Sequence, residues 1–367
     1  MEITKYSEGM TRHVTNKSNL KMFELDGKAG RTALIDEREY LFFSGYDYLG
    51  IGNNSFFEKL VVKGIQQYGW LYPSSRISNS RLSIYEKMER HLSDLTQTRD
   101  TVLFPSGFLA GRAVTQLFAH RCKAFTAPAT HPAIAVFGRT FLGSFGQWSE
   151  MVMQSLSGSD IFQLPVLIAD SVQPLSAAIN DFTFLQHIDR KVICIIDDSH
   201  GVGLIGKNGE GISSLLPRKE NIDYIITYSL SKAFHIEGGA VSCTNAKHAE
   251  MLRTLPDFTA TTSMPPALIH AFLNGAEIYE EQRNKLKRNI QHFDQIVPDH
   301  AVAASHAQLP IFVLSDVNDE NLSKHHIIIS SFPYPDPRGK KIKRVVLNAL
   351  HTQDDLQTLA DALLESL

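Results

Sequence analysis

Apolar residues recur along this chain in two rhythms. Short unbroken apolar runs alternate with longer stretches in which apolar positions return every three or four residues. The runs TVLFP (101–105), PVLIA (165–169), VICII (192–196), YIITY (224–228) and AVSC (240–243) read as strands. VICII is β-branched at all but one position, the composition of a strand covered on both faces, as in a parallel sheet. A helix is predicted over 107–118, directly after the first run. Ser83-Ile84-Tyr85-Glu86 has the Ser-x-x-Glu spacing of a capping box. It predicts a helix to about Leu95 that buries Ile84, Met88, Leu92 and Leu95 along one face. Pro265-Pro266 predicts a long helix to about Gln291, because proline is tolerated in a first turn. This alternation belongs to an α/β fold with a mostly parallel central sheet sandwiched by helices.

Beyond that helix the pattern changes. Residues 309–314 and 344–348 read as strands on either side of a turn-rich stretch, SFPYPDPRGK (331–340), and a last helix starts after Thr352. The expected organisation is an N-terminal segment (1–41) packing with a small domain, a large domain (42–265), and a smaller α+β C-terminal domain (266–367).

Composition narrows the class. The 367 residues carry 36 Lys+Arg and 39 Asp+Glu, a net charge of −3, with 43% hydrophobic and 20% charged residues. These values exclude a disordered chain, a collagen-like repeat and a basic nucleic-acid binder. No apolar run is long enough for a membrane span, and MEITKYSEGMTRH (1–13) lacks the apolar core of a secretory signal. Cys122, Cys194 and Cys243 are scattered and form no C-x-x-C pair, which reads as buried thiols in a reducing compartment. A cytoplasmic protein is expected.

Open α/β sheets place their ligands at the carboxyl ends of the strands, and chemistry-bearing residues gather there. Asp197-Asp198-Ser199-His200 follows VICII, Ser229-Leu230-Ser231-Lys232 follows YIITY, and Ser106-Gly107-Phe108 follows TVLFP at a helix start. Backbone N–H groups and a hydroxyl at a helix N-terminus suit a phosphate. A lysine among strand ends suits a covalent bond to a carbonyl compound. A carboxylate at the end of a buried strand needs a cationic or hydrogen-bonding partner. Taken singly, each has a plainer reading: a helix cap, a solvated charge, a loop turn at His131-Pro132, and a cap at Thr262-Ser263. A metal site lacks the further ligands it would need.

Several segments together resemble the α-oxoamine synthases, pyridoxal-phosphate (PLP) enzymes of fold type I. They are DYLG (47–50), SGF (106–108), DDSHGVGLIGKNGEG (197–211), SLSKAF (229–234), TSMPPA (262–267) and RVVLNALHT (344–352), in order and with similar spacing from about Tyr40 to the C-terminus. The resemblance implies an acyltransferase that condenses an amino acid with an acyl thioester, carried on CoA or an acyl carrier protein, and releases CO2. It implies a fold type I transferase with pyridoxal 5'-phosphate as cofactor. Lys232 would hold the cofactor and move the Cα proton, and Asp197 would pair with the pyridine nitrogen. His131 would stack on the ring and His200 would reach its phenolic oxygen. Ser106, Gly107, Phe108 and Ser229 would contact the phosphate. Thr262 would reach it from a second subunit, so a homodimer with shared sites is implied, and Arg344 would grip the amino-acid carboxylate. TSMPPA and REYLFFSGYDYLG (38–50) are most similar to the branch that joins L-alanine to a pimeloyl thioester.

The chain departs from the family's pattern on the substrate side. WLYPSSR (70–76) stands where small residues are usual, Pro174 where a serine contacts the cofactor, and Tyr46 where an asparagine precedes DYLG. Gly111 and Ala127 replace an asparagine and an aspartate. A different amino acid or acyl donor, an aminotransferase reaction, or a weakly catalytic PLP-binding paralogue are the alternatives these departures raise. His351 is expected to be structural, and His235 has no expected role.

Overall fold

The computed structural model describes residues 22–118, 122–135, 140–158, 163–334 and 338–366. Residues 1–21 of the expected N-terminal segment, and 335–337 of the turn-rich stretch, lie outside the described residues. The described chain opens on a hairpin, β1 (Thr32–Ile35) and β2 (Arg38–Phe43), whose two turn residues Asp36 and Glu37 both have positive φ. A turn of that form matches the strand twist. Helices α1 (Ser55–Tyr68) and α2 (Ile84–Thr96) follow. α2 buries Ile84, Met88 and Leu92, but its capping box does not form. Ser83 has helical backbone angles and its hydroxyl caps nothing. An N-cap needs extended angles to turn its oxygen onto the first N–H groups.

The large sheet is built from β3 (Asp100–Phe104), β4 (Lys123–Thr126), β5 (Pro165–Asp170), β8 (Val192–Asp197), β9 (Ile222–Ser229) and β10 (Gly239–Cys243). A two-stranded ribbon of β6 (Val172–Gln173) and β7 (Ala178–Ile179) projects after β5. The strand order is β3-β10-β9-β8-β5-β4, with β4, β5, β8 and β9 parallel and β10 antiparallel to both of its neighbours. Every residue of β5 and β8 is buried, because helices cover both faces. Val166, Ile168, Ile193 and Ile195 pack with α3 (Gly107–Phe118) and α5 (Ala246–Leu252). The alternate residues Leu167, Ala169, Cys194 and Ile196 join the larger core on the other face, which includes α4 (Phe145–Ser157). The period of two, hidden within continuous apolar runs, thus separates two cores.

After α6 (Pro256–Thr259), the helix predicted from Pro265-Pro266 is two helices, α7 (Pro266–Asn274) and α8 (Ala276–Ile296). They break at Gly275, where a Cβ would come within 3.3 Å of the Phe57 ring and 3.0 Å of the Ala271 carbonyl oxygen. Glycine favours helix interiors poorly, and here it also admits α1 at close range. A second sheet follows. It comprises β11 (Val302–Ser305), β12 (Ile311–Leu314), β13 (Ile327–Pro333) and β14 (Lys341–Val346), in the order β1-β2-β13-β14-β12-β11. β13 thus claims Ser331, Phe332 and Pro333 from the predicted turn-rich stretch. The N-terminal hairpin joins this sheet through the parallel β2–β13 pair. α9 (Asp319–Lys324) and α10 (Gln353–Leu364) complete the chain. Thr352 and Asp355 form a capping box on α10, and Arg31 grips Asp355 through two hydrogen bonds of 2.7 Å, tying the chain's two ends together.

Candidate active site

The strand ends converge on one cleft between the two sheets. Asp170 and Asp197 terminate β5 and β8 and are direct neighbours in the register. β10 runs back from Gly239, which pairs with Ser229 on one side and Phe104 on the other. This places the start of α3 beside the end of β9. The approach is so close that a Cβ on Gly107 would lie 2.6 Å from Ser229 Cβ, and one on Gly239 2.5 Å from Gly107 Cα. Lys232 sits in the short loop between β9 and β10.

A cavity of about 350 Å³ opens there, and Lys232, Asp197, His131, His200 and Arg344 all line it. Lys232 Nζ is 2.8 Å from His200 Nε2, and His200 Nδ1 is 2.7 Å from the Tyr48 hydroxyl. Burial, the Lys232 charge and the Arg344 charge push His200 well below the usual histidine range, so its ring is neutral. A neutral imidazole has one N–H, so the tautomer follows the lysine. An ammonium donates to Nε2 and leaves Nδ1–H to donate to Tyr48. A free amine accepts from Nε2–H while Tyr48 donates to Nδ1. Burial lowers Lys232 itself to about 8, against the opposing charges of Asp197 and Asp170. Desolvation wins because the amine has no carboxylate at ion-pair distance among the described residues.

Asp197 Oδ1 accepts the Ser199 N–H at 2.9 Å, and Ser199 Oγ accepts the Ser229 N–H at 2.9 Å, linking the ends of β8 and β9. Asp170 accepts the His131 N–H on both oxygens, at 3.0 and 3.2 Å, and so fixes the loop that carries the histidine. Burial and the neighbouring Asp197 raise Asp170 well above the usual carboxylate range. Burial holds His131 below the usual histidine value. Its Nδ1 accepts the Ala133 N–H at 3.2 Å, leaving the proton on Nε2.

Arg344 stands on the opposite wall, from β14, and is only 2% exposed. Nη1 donates to the Pro174 carbonyl at 3.2 Å and Nη2 to the Tyr46 hydroxyl at 3.2 Å, while the buried Nε has no partner. No carboxylate lies within ion-pair distance of it among the described residues. A buried guanidinium left without an anion is a costly arrangement that a bound anion relieves.

The four residues expected at the cofactor, Lys232, Asp197, His131 and His200, therefore meet in one cavity with Arg344. Ser106, Gly107, Phe108 and Ser229 cluster at its edge, outside the lining, where Ser106 Oγ caps Leu109 N at 3.2 Å and Ser229 Oγ lies 2.7 Å from Ser231 Oγ. Thr262 is exposed and outside the cavity of its own chain. Pro174 contributes a carbonyl where a hydroxyl was expected. Asp170, Tyr48, Phe332 and Tyr334 were not singled out. Asp170 carries the same signal as Asp197, a carboxylate closing an apolar strand; Tyr48 stands within DYLG, while Phe332 and Tyr334 carry none. His351 is structural: it is buried, stacks on Phe43 at 4.2 Å, and accepts the Asn348 N–H at 3.0 Å. His235 lies 3.4 Å from Asp47.

These residues fit pyridoxal 5'-phosphate. The cavity lining holds a carboxylate, Asp197, with no cation in bonding contact among the described residues, which suits a protonated ring nitrogen. Its wall holds a buried amine of lowered proton affinity and the neutral imidazole of His131, and its edge is a helix start packed without side-chain bulk at Gly107.

Residues 177–363 match the aminotransferase class I and II family. An 8-amino-7-oxononanoate synthase of Buchnera aphidicola subsp. Baizongia pistaciae is 24% identical over 96% of this chain and 96% of its own length. One of a Marinomonas species is 26% identical over 90% of this chain and 86% of its own. The solved serine palmitoyltransferase of Sphingomonas wittichii superposes with a TM-score of 0.78 at 16% identity, covering 93% of this chain and 90% of that one. The 8-amino-7-oxononanoate synthase of Francisella tularensis does so at 0.70 and 23%, covering 89% and 97%. The structural likenesses show a shared fold, that of the fold type I PLP enzymes. The chain belongs to the aminotransferase class I and II family, and is a PLP-dependent enzyme of its α-oxoamine synthase group.

Proposed function

We propose that this enzyme condenses a small amino acid with an acyl thioester, releasing CO2 and a thiol, and that it is an 8-amino-7-oxononanoate synthase joining L-alanine to a pimeloyl thioester. The observation that carries this reading is the pairing, across one cavity, of a buried amine at Lys232 with a buried, anion-free guanidinium at Arg344. An α-amino acid offers a carboxylate for the guanidinium and an amine that would take the place of Lys232 on the cofactor. Relatives named 8-amino-7-oxononanoate synthase match almost the whole chain, which supports the finer assignment.

Lys232 would hold the cofactor through its amine, Asp197 its ring nitrogen, His131 its face and His200 its phenolic oxygen. Ser106, Gly107, Phe108 and Ser229 would hold the phosphate. When bound, the cofactor supplies an aldehyde for the amine and a ring that accepts the electron pair released at Cα. Arg344 orients the amino acid by its carboxylate. Lys232, an amine poised near neutrality, takes the Cα proton and returns one to the product. The Tyr48–His200 pair holds that amine in place and adjusts its tautomer as the proton moves. We further propose a cytoplasmic homodimer in which Thr262 of one copy reaches the phosphate of the other. Its exposure outside its own cavity supports this reading.

Product analysis tests the assignment. Purified enzyme is supplied with alanine, glycine or serine, and with pimeloyl-CoA or the pimeloyl carrier protein. The expected result is an aminoketone from alanine with stoichiometric CO2. Product from serine or glycine alone would move the reading to another α-oxoamine synthase.

A further inference from the structure

We infer that Tyr46 determines which amino acid the site accepts, by crowding the path between Lys232 and Arg344 and by adding a donor to the carboxylate grip. This inference rests on the proposed function. The Tyr46 ring lies 5.6 Å from Lys232 Nζ and 6.0 Å from Arg344 Cζ, measured to its centroid. The lysine whose place the substrate amine would take, and the guanidinium that would take the carboxylate, therefore face one aromatic ring. The atom joining those groups, Cα, must pass across that ring. A hydrogen or a methyl on that side is accommodated, whereas a longer substituent meets the ring.

The ring is held in place. Its edge contacts are with His200 at 5.1 Å and Tyr48 at 6.0 Å, and both partners belong to the hydrogen-bonded chain behind Lys232. The hydroxyl accepts the Arg344 Nη2–H at 3.2 Å. A phenol that accepts one hydrogen bond still has its own proton to give. The guanidinium nitrogen without a partner is Nε, which shares an edge with Nη2. Tyr46 and Arg344 both line the cavity, so a carboxylate drawn to the guanidinium there takes the Tyr46 O–H as well. Tyr46 is thus a specificity-determining residue that touches substrate rather than a group that moves protons.

The test is calorimetric binding of glycine, L-alanine, L-2-aminobutyrate and L-norvaline to cofactor-loaded wild type, Tyr46→Phe and Tyr46→Asn. Visible absorbance checks that each variant keeps its cofactor. Wild type is expected to bind norvaline at least about tenfold more weakly than alanine. Tyr46→Phe keeps that ratio but binds every amino acid about tenfold more weakly, the loss of one charge-assisted hydrogen bond. Tyr46→Asn brings norvaline to within about threefold of alanine. Unchanged alanine affinity in Tyr46→Phe, or an unchanged ratio in Tyr46→Asn, overturns the corresponding half of the inference. A cofactor-loaded wild type that binds none of the four overturns the proposed function itself, and this inference with it.

Discussion

Lys232 is half-buried in the cavity wall. Its amine is lowered from 10.5 to about 8 because desolvation outweighs the pull of Asp197 and Asp170. The sign follows: the neutral form dominates above about pH 8, and stability falls as pH drops from 10.5 toward 8 because the unfolded chain takes up the proton first. In cofactor-free protein, acylation of Lys232 is expected to reach half its maximal rate near that pH, where an ordinary solvent-exposed lysine, with a pKa of about 10.4, is still almost fully protonated. Mass spectrometry of labelled peptides across a pH series measures this. A midpoint at the ordinary lysine value would remove the poised amine from the mechanism. At this scale much was legible. Lys232, Asp197 and His200 stand at strand ends in the sequence, whereas His131 enters only through the family resemblance. Tyr46 was visible only as a departure, because its role comes from the approach of β14 to the segment after β2, which lie far apart in the chain.

Among elements, the turn after β8 is organised around a buried carboxylate. Asp198 Oδ1 accepts the Ser171 hydroxyl at 2.5 Å and Oδ2 the Ile212 N–H at 2.8 Å, so one side chain joins the β5–β6 turn, the end of β8 and the loop to Gly211. Gly201 and Gly211 make room for it, since a Cβ at either would fall within 2.1 Å of a carboxylate oxygen. Gly211 also has φ of +73°. Gly211→Ala is therefore expected to cost on the order of 2–4 kcal/mol in urea unfolding; a loss below about 0.5 kcal/mol would show that the turn relaxes freely. Burial lifts Asp198 to about 7. Its contribution to stability is complete below the unfolded value of about 3.9 and is lost as pH rises through about 7. Asp198→Asn should flatten the pH dependence of unfolding over that window, by up to about 1.4 kcal/mol per pH unit. A slope equal to that of wild type would count against it. The strands were legible because unbroken apolar runs have few other uses. The Ser83 box and the Gly275 break were not, since both depend on backbone angles and on what α1 brings alongside.

At the scale of the whole molecule, several large apolar side chains lie exposed. Trp70 is 75% exposed, Ile77 62% and Phe108 56%. In the proposed pairing of two copies, such side chains are the ones a partner would cover. Sedimentation at micromolar concentration is expected to give twice the chain mass of 41.0 kDa. A monomer with full activity would end the shared-site reading.

The second sheet recruits its strands from both ends of the chain. β1 and β2 must wait for β13, whereas the large sheet is finished once β10 has been made. Contacts between distant segments form slowly, so on the growing chain the cofactor side can be complete while Arg344 is still unmade. A chain cut short before β14 would keep its acid, imidazoles and lysine in register yet have nothing with which to seize a carboxylate, so that turnover itself reports that synthesis has passed β14.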